Sequence, residues 1–256
     1  MRDLDARLSE VKSWIDAALR VVVLTGAGIS TDSGIPDFRG PRGLWTKNPE
    51  AEKLATLQHY LGDPEVRKRS WQSFLDKDGL GGWDVQPNAG HHALVELERR
   101  GKLHTLITQN VDGLHQRAGT SREFVVEIHG TLRDVVCMQC GERAPMERAL
   151  ERVRAGEEDP ACRSCGGVLK SATISFGQNL VPEDLKRAER AGGECDLLLA
   201  VGSSLAVYPV AGVVPIAHAN GARIVIVNAE PTEMDDIAHA LLRGSISDLL
   251  PKLVGA

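Results

Sequence analysis

Residues 21–40 read VVVLTGAGISTDSGIPDFRG, and no other stretch constrains the chain as much. Val21 to Leu24 is a β-branched run that glycine closes abruptly, which predicts a buried strand. A strand that stops in Gly-x-Gly is a common opening of a dinucleotide site. The usual continuation is missing, because the third glycine of G-x-G-x-x-G would fall on Thr31. The segment runs on instead through Gly34-Ile35-Pro36-Asp37-Phe38-Arg39-Gly40, with glycines, a proline, a ring and an Asp/Arg pair. That composition points to a loop that covers a ligand.

The rest of the chain repeats the strand-then-polar-turn theme. Leu4, Leu8, Val11, Ile15 and Leu19 recur at helical spacing and predict an amphipathic helix leading into the first strand. Residues 51–75 are helical in pattern, with breaks at Gly62 and Pro64. Pro87 to His91 precedes a predicted helix that carries Leu94, Val95 and Leu97 and ends at Gly101, a C′ glycine. Strands are expected at 103–108, 124–128, 197–201 and 223–227, and helices at 209–219 and 241–254. The alternation predicts βαβ units and a mostly parallel sheet. GAGIS, QNVD, HG, GSS and VNAE each follow a strand. In an open α/β sheet that edge binds ligands.

Between Thr131 and Lys170 the chain turns polar and cysteine-bearing. Cys137 and Cys140, then Cys162 and Cys165, form two C-x2-C knuckles separated by 21 residues. Two such knuckles give four thiolates to one tetrahedral ion, and a fully sulfur-filled site is structural. One Zn2+ per chain is therefore expected, and Cys195 reads as a small buried hydrophobe. No apolar run is long enough to cross a bilayer, and the charged N-terminus has no signal-peptide core. These features predict a cytoplasmic protein without membrane attachment. A net charge of −5 argues against direct nucleic-acid binding.

The ordered set GAGIS…SGIPDFRG, TQNVDGLHQRAG, Ile128-His129-Gly130, the cysteine knuckles, Phe176-Gly177, GSSL…VYP at 202–209 and Val227-Asn228 resembles the sirtuins, NAD-dependent protein-lysine deacylases. The match covers about residues 20–250. The resemblance implies an α/β fold: a Rossmann-like parallel sheet domain (1–37, 84–131 and 172–256) with a smaller discontinuous domain. A helical module (38–83) and a zinc ribbon (132–171) make up the latter.

The resemblance also assigns roles. NAD is the co-substrate, and acyl-lysine proteins or peptides are the partners. His129 is the general base, suited by an ordinary pKa near 6.5, with Asn110 and Asp112 organising nicotinamide and ribose. Gly26, Ala27 and Gly28, with the start of a following helix, would cradle the pyrophosphate through backbone N–H groups. Ile35 would line the nicotinamide pocket, Phe38 would shield C1′, and Arg39 would hold phosphate or Asp37. Gln109, Gly202, Ser203 and Ser204 would meet ribose and phosphate. Asn228 and Glu230 would meet the adenosine ribose, and Ser245 and Ile246 would border adenine. Phe176, Gly177 and Val207 would form the acyl-lysine tunnel. His91 and His115 read as packing residues. Protein ADP-ribosylation is the alternative within the same chemistry. A nicotinamide dehydrogenase is disfavoured by the absent third glycine, and a zinc-stabilised binding module leaves the strand-end signatures unexplained.

Overall fold

The structure, a computed structural model, describes residues 2–37, 43, 55–77, 79–80 and 85–255. Helix α1 (Arg2–Ala17) leads into strand β1 (Val21–Thr25). Two short helices follow, α2 (Leu57–Gly62) and α3 (Pro64–Ser73), split where the sequence places Gly62 and Pro64. Then come α4 (Ala89–Arg99), β2 (Leu103–Thr108), α5 (Leu114–Ala118) and β3 (Val125–Glu127). Next are β4 (Gly130–Cys137), β5 (Arg143–Pro145), α6 (Met146–Arg154) and β6 (Leu169–Thr173). The chain closes with α7 (Pro182–Glu194), β7 (Leu197–Val201), α8 (Val213–Ala219), β8 (Arg223–Val227), β9 (Ala240–Leu242) and α9 (Ile246–Val254).

The main sheet is parallel, in the order β3-β2-β1-β7-β8-β9. From β1 the chain winds outward through β2 and β3, then returns to build β7, β8 and β9 on the other side. The order reverses between β1 and β7, and such a switch point opens a crevice at the strands' carboxyl ends. Both faces are covered, so the central strands β1, β7 and β8 are almost wholly apolar, with Thr25 and Arg223 only at their ends. Val21, Val23, Leu197, Leu199, Val225 and Val227 pack with α1, α4 and α9. Val22, Leu24, Leu198, Ala200, Ile224 and Ile226 pack with α7 and α8 on the opposite face. The alternation is the period-two pleat of a strand.

A second, three-stranded sheet (β5-β4-β6) is antiparallel. Its core is small and shared: Trp71 of α3 is fully buried with Val135, Met146, Leu150, Val153, Leu169 and the ligand candidates Cys137 and Cys162. Tyr60 Oη of α2 donates to the Leu169 carbonyl at 2.9 Å, and Arg67 pairs with Asp159 at 2.8 Å.

Three expectations change. The helix expected at 241–254 is a strand at Ala240–Leu242 followed by a helix from Ile246, with Ser245 as its N-cap. Leu19 lies beyond α1 and is 78% exposed, so the apolar stripe ends at Ile15. No α-helix follows GAG; two three-residue 3-10 turns, Ala27–Ile29 and Thr31–Ser33, stand there instead. Turns that short carry no macrodipole worth invoking.

Candidate active site

Strands β1, β2, β3, β7 and β8 point their carboxyl ends into one cleft of about 1620 Å³. That volume exceeds the roughly 300–1,000 Å³ of ordinary ligand pockets and suits two ligands held together. Every described residue assigned above to cofactor, substrate or catalysis lines it, from Gly26 and Ile35 to Ser245 and Ile246. Phe38 and Arg39 lie outside the described residues.

The glycines serve the protein first. A Cβ on Gly28 would lie 2.7 Å from Gly202 Cα, and one on Gly26 would lie 2.7 Å from the Gly202 carbonyl. The loops after β1 and β7 therefore interlock backbone to backbone. Gly26 N–H goes to the Val201 carbonyl and Gly28 N–H to the Gly202 carbonyl. Ile29 and Ser30 close the 3-10 turn onto Gly26 and Ala27. Of the expected backbone cradle, the Gly26 and Gly28 N–H groups are thus already engaged within the protein. Leu205, just past Gly202-Ser203-Ser204, holds φ 58 although it is not glycine. Such strain costs about 1–3 kcal/mol and marks a constrained turn.

Asn110 and Asp112 are held by a residue the sequence reading did not single out, Ser30. Its hydroxyl accepts from Asn110 Nδ2 at 3.1 Å and donates to Asp112 Oδ2 at 2.8 Å. Asn110 Nδ2 also reaches the Gly26 carbonyl at 3.1 Å, and Leu114 N–H donates to Asp112 Oδ1 at 2.9 Å. The amide oxygen of Asn110 and further lone pairs on Asp112 remain for a ligand. Burial raises the Asp112 pKa, and the bonds from Leu114 and Ser30 oppose it. Gln109 Nε2 is tied to Ser203 Oγ at 2.9 Å, which joins the β2 and β7 loops.

His129 sits between sheets. Its Nδ1 is 3.1 Å from the Gln109 carbonyl. A carbonyl only accepts, so Nδ1 carries the proton and Nε2 keeps its lone pair. Burial lowers the His129 pKa, with the Gln109 bond opposing, so the ring is neutral at pH 7. Gly130 follows at φ 76, where a Cβ would lie 2.0 Å from the Ala172 carbonyl. Only glycine fits, and Ile174 N–H closes onto the His129 carbonyl at 2.8 Å.

Two further histidines back this wall. His115 is buried, with Nε2 3.0 Å from Thr25 Oγ1 and its ring 5.0 Å from that of His91. His91 Nδ1 accepts from the Asn88 N–H at 3.3 Å, and its Nε2 is 3.5 Å from Ser30 Oγ. Burial lowers both pKa values, that of His91 to about 4. Below pH 6.5 the unfolded chain takes a proton at His115 that the folded protein refuses, so stability falls with pH. Relative to His115→Gln, the wild type should lose about 1.4 kcal/mol per pH unit below 6.5. Urea unfolding at pH 7.0 and 5.5 checks this; parallel losses in both proteins would refute it.

On the substrate side, Phe176 N–H and carbonyl are bonded to Ala55 and Leu57 at 3.0 and 2.9 Å. The main chain of Phe176 is therefore already engaged within the protein. Lys170, unremarked in the sequence, is 2% exposed on β6 and lines the cleft. Its ammonium donates to the Ser171 and Thr173 carbonyls, and burial lowers its pKa to about 8. A lysine between Leu169 and the Ala172 position of a strand was a readable signal.

The four knuckle sulfurs lie within 4.8 Å of one another. Cys137 Sγ and Cys165 Sγ are 3.5 Å apart, and Cys140 Sγ and Cys162 Sγ 3.8 Å. A tetrahedron with Zn–S bonds of about 2.3 Å has edges of about 3.8 Å. The sulfur set fits one zinc ion and is far too open for disulfides.

Comparison with known proteins agrees with this geometry. A family model described as Sir2 family matches residues 26–209. A protein of Streptomyces coelicolor called NAD-dependent protein deacetylase 2 is 53% identical over 234 residues, covering 91% of this chain and 96% of that one. NAD-dependent protein deacetylase 1 of Bradyrhizobium diazoefficiens is 40% identical, over 99% of this chain and 97% of its own. A solved Sir2 structure with deacetylated p53 peptide and 3′-O-acetyl ADP ribose superposes with a TM-score of 0.87 at 32% identity, covering 97% of this chain and 98% of that one.

Proposed function

The chain belongs to the Sir2 family, and on that premise we propose how its residues perform NAD-dependent protein deacetylation. The enzyme moves the acyl group of an acyl-lysine to ADP-ribose and releases nicotinamide. NAD supplies the electrophilic ribose C1′, the nicotinamide leaving group and the 2′-hydroxyl that receives the acyl group.

His129 Nε2 accepts the proton of that hydroxyl. The single observation that carries this role is its Nδ1 bond to the Gln109 carbonyl, which places the proton of the neutral ring on Nδ1 and leaves the lone pair at Nε2, while burial holds the pKa down against that bond. Asp112 accepts from the carboxamide N–H of nicotinamide, and Asn110 orders the ribose; both are locked through Ser30. Ala27 N–H and the Ser203–Ser204 turn meet the pyrophosphate and ribose, while Asn228, Glu230, Ser245 and Ile246 form the adenosine end. Ile35 lines the nicotinamide pocket, and Phe176, Gly177 and Val207 surround the acyl-lysine. Phe38 and Arg39 keep the roles the resemblance implies. Zinc is structural, because four thiolates leave no open position.

The division into a dinucleotide-binding domain (1–37, 84–131 and 172–256) and a small domain (38–83 with 132–171) is part of the same reading. The shared Trp71 core supports it. Among the described residues no helix is long and apolar enough to cross a membrane. Cytoplasmic location and the absence of nucleic-acid binding are our proposals, the latter from the net charge of −5.

Mass spectrometry of products from NAD and an acetyl-lysine peptide tests the reading. Free lysine with acetyl-ADP-ribose is the expected pair. ADP-ribosylated protein without deacetylation would replace it with the transferase alternative.

A further inference from the structure

Arg243 belongs to none of the motifs above and does not line the cleft. It follows β9 directly. Its Nη1 donates to the Asn228 carbonyl at 3.1 Å and to the Glu230 carbonyl at 3.0 Å. Its Nη2 is paired with Asp235. The two carbonyls belong to the loop after β8, whose residues 228–231 line one side of the cleft. Gly244, Ser245 and Ile246, immediately after Arg243, line it as well.

We infer that Arg243 is a positioning residue that sets NAD affinity by locking together the two loops forming the adenosine end of the cleft.

The rest of the clamp supports this. Asn228 N–H is bonded to the Leu242 carbonyl at 3.1 Å, so β9 carries Arg243 to the loop in fixed register. Asn228 Nδ2 reaches the Glu230 carbonyl at 2.7 Å, so that carbonyl takes two donors. Asp235 accepts from Thr232 Oγ1 at 2.7 Å and Thr232 N–H at 3.2 Å, which fixes the anion holding the guanidinium. Burial raises the Asp235 pKa, but the Thr232 and Arg243 bonds outweigh it and keep the carboxylate ionised. A planar fork with several donors bridges separate acceptors, which a lysine's point charge does not reproduce. Without the fork, the 228–231 and 243–246 loops lose their common anchor, and a bound adenosine must order them at its own cost.

The proposal rests on the NAD reading above, so the test separates the two. Steady-state kinetics and ADP-ribose calorimetry are run on wild type, Arg243→Met, Arg243→Lys and Asp235→Asn. Arg243→Met should raise KM for NAD and the ADP-ribose Kd about tenfold, equal to about 1.4 kcal/mol. Its kcat at saturating NAD and its KM for acetyl peptide should stay within about twofold of wild type. Arg243→Lys should recover part of the affinity, and Asp235→Asn should shift the same constants less. A general folding defect would instead lower kcat and active fraction with KM unchanged. That pattern, or unchanged affinity in Arg243→Met, overturns the proposal. If wild type itself fails to bind ADP-ribose, the NAD reading falls and the inference falls with it.

Discussion

His129→Ala removes deacetylated product while sparing part of the nicotinamide exchange, with kcat for deacetylation down by about 10²–10⁴-fold. The size follows from the role. A positioned general base contributes that range, and among the described residues lining the cleft His129 is the one histidine. The exchange survives because cleavage at C1′ precedes the step that needs the base. The same residue shapes the pH profile. Its pKa is lowered by burial, with the Gln109 carbonyl opposing. The acid limb of kcat/KM therefore lies below pH 6.5, and above it the ring is already deprotonated. Product analysis by mass spectrometry and labelled-nicotinamide exchange provide the measurements. Normal deacetylation by His129→Ala would remove the base assignment.

Loss of the zinc has the second large effect, and it acts on folding. Among the described residues the core around the ribbon has nine buried members, of which Trp71 comes from α3 and two are the ligands Cys137 and Cys162. So small a core does not stabilise itself without a staple. Structural zinc contributes on the order of 10 kcal/mol in small metal modules. Cys162→Ser, or chelation at pH 7, should unfold strands β4 to β6 and helix α6. Trp71 would then lose its fully buried surroundings, and Tyr60 its Leu169 acceptor. The expected readouts are about one equivalent of zinc released, a red shift in tryptophan emission absent from Trp71→Phe, and loss of deacetylation. A metal-free protein that keeps both its emission and its activity would contradict a structural ion.

The parallel sheet was readable because each strand is a short apolar run closed by a polar or glycine turn. Leu103–Thr108, Leu197–Val201 and Arg223–Val227 begin and end where the pattern places them. Strand β9 was not readable: Ala240–Leu242 is three residues long and runs on toward a helix-like pattern, so it merged with α9. The ribbon's strands were missed for a related reason. Their apolar content is low because sulfur and metal replace part of the core. Helix α6 was not expected, although Met146, Ala149, Leu150 and Val153 fall at helical spacing on one buried face.

The chemistry of the site divides differently. The residue types and their order in the chain alone determined the sheet, the strand-end signatures, the four thiolates and the histidine after β3. These depend on local pattern and spacing, which a sequence carries directly. Only the tertiary structure decided which groups stay available to a ligand. It assigned the Gly28 N–H to Gly202, made Ser30 the common partner of Asn110 and Asp112, and directed His129 Nδ1 to Gln109. It also joined the loops after β8 and β9 through Arg243. Each of these is a hydrogen bond between segments distant in sequence. A donor's partner is set by three-dimensional proximity, and that proximity exists only once the strands have met in register.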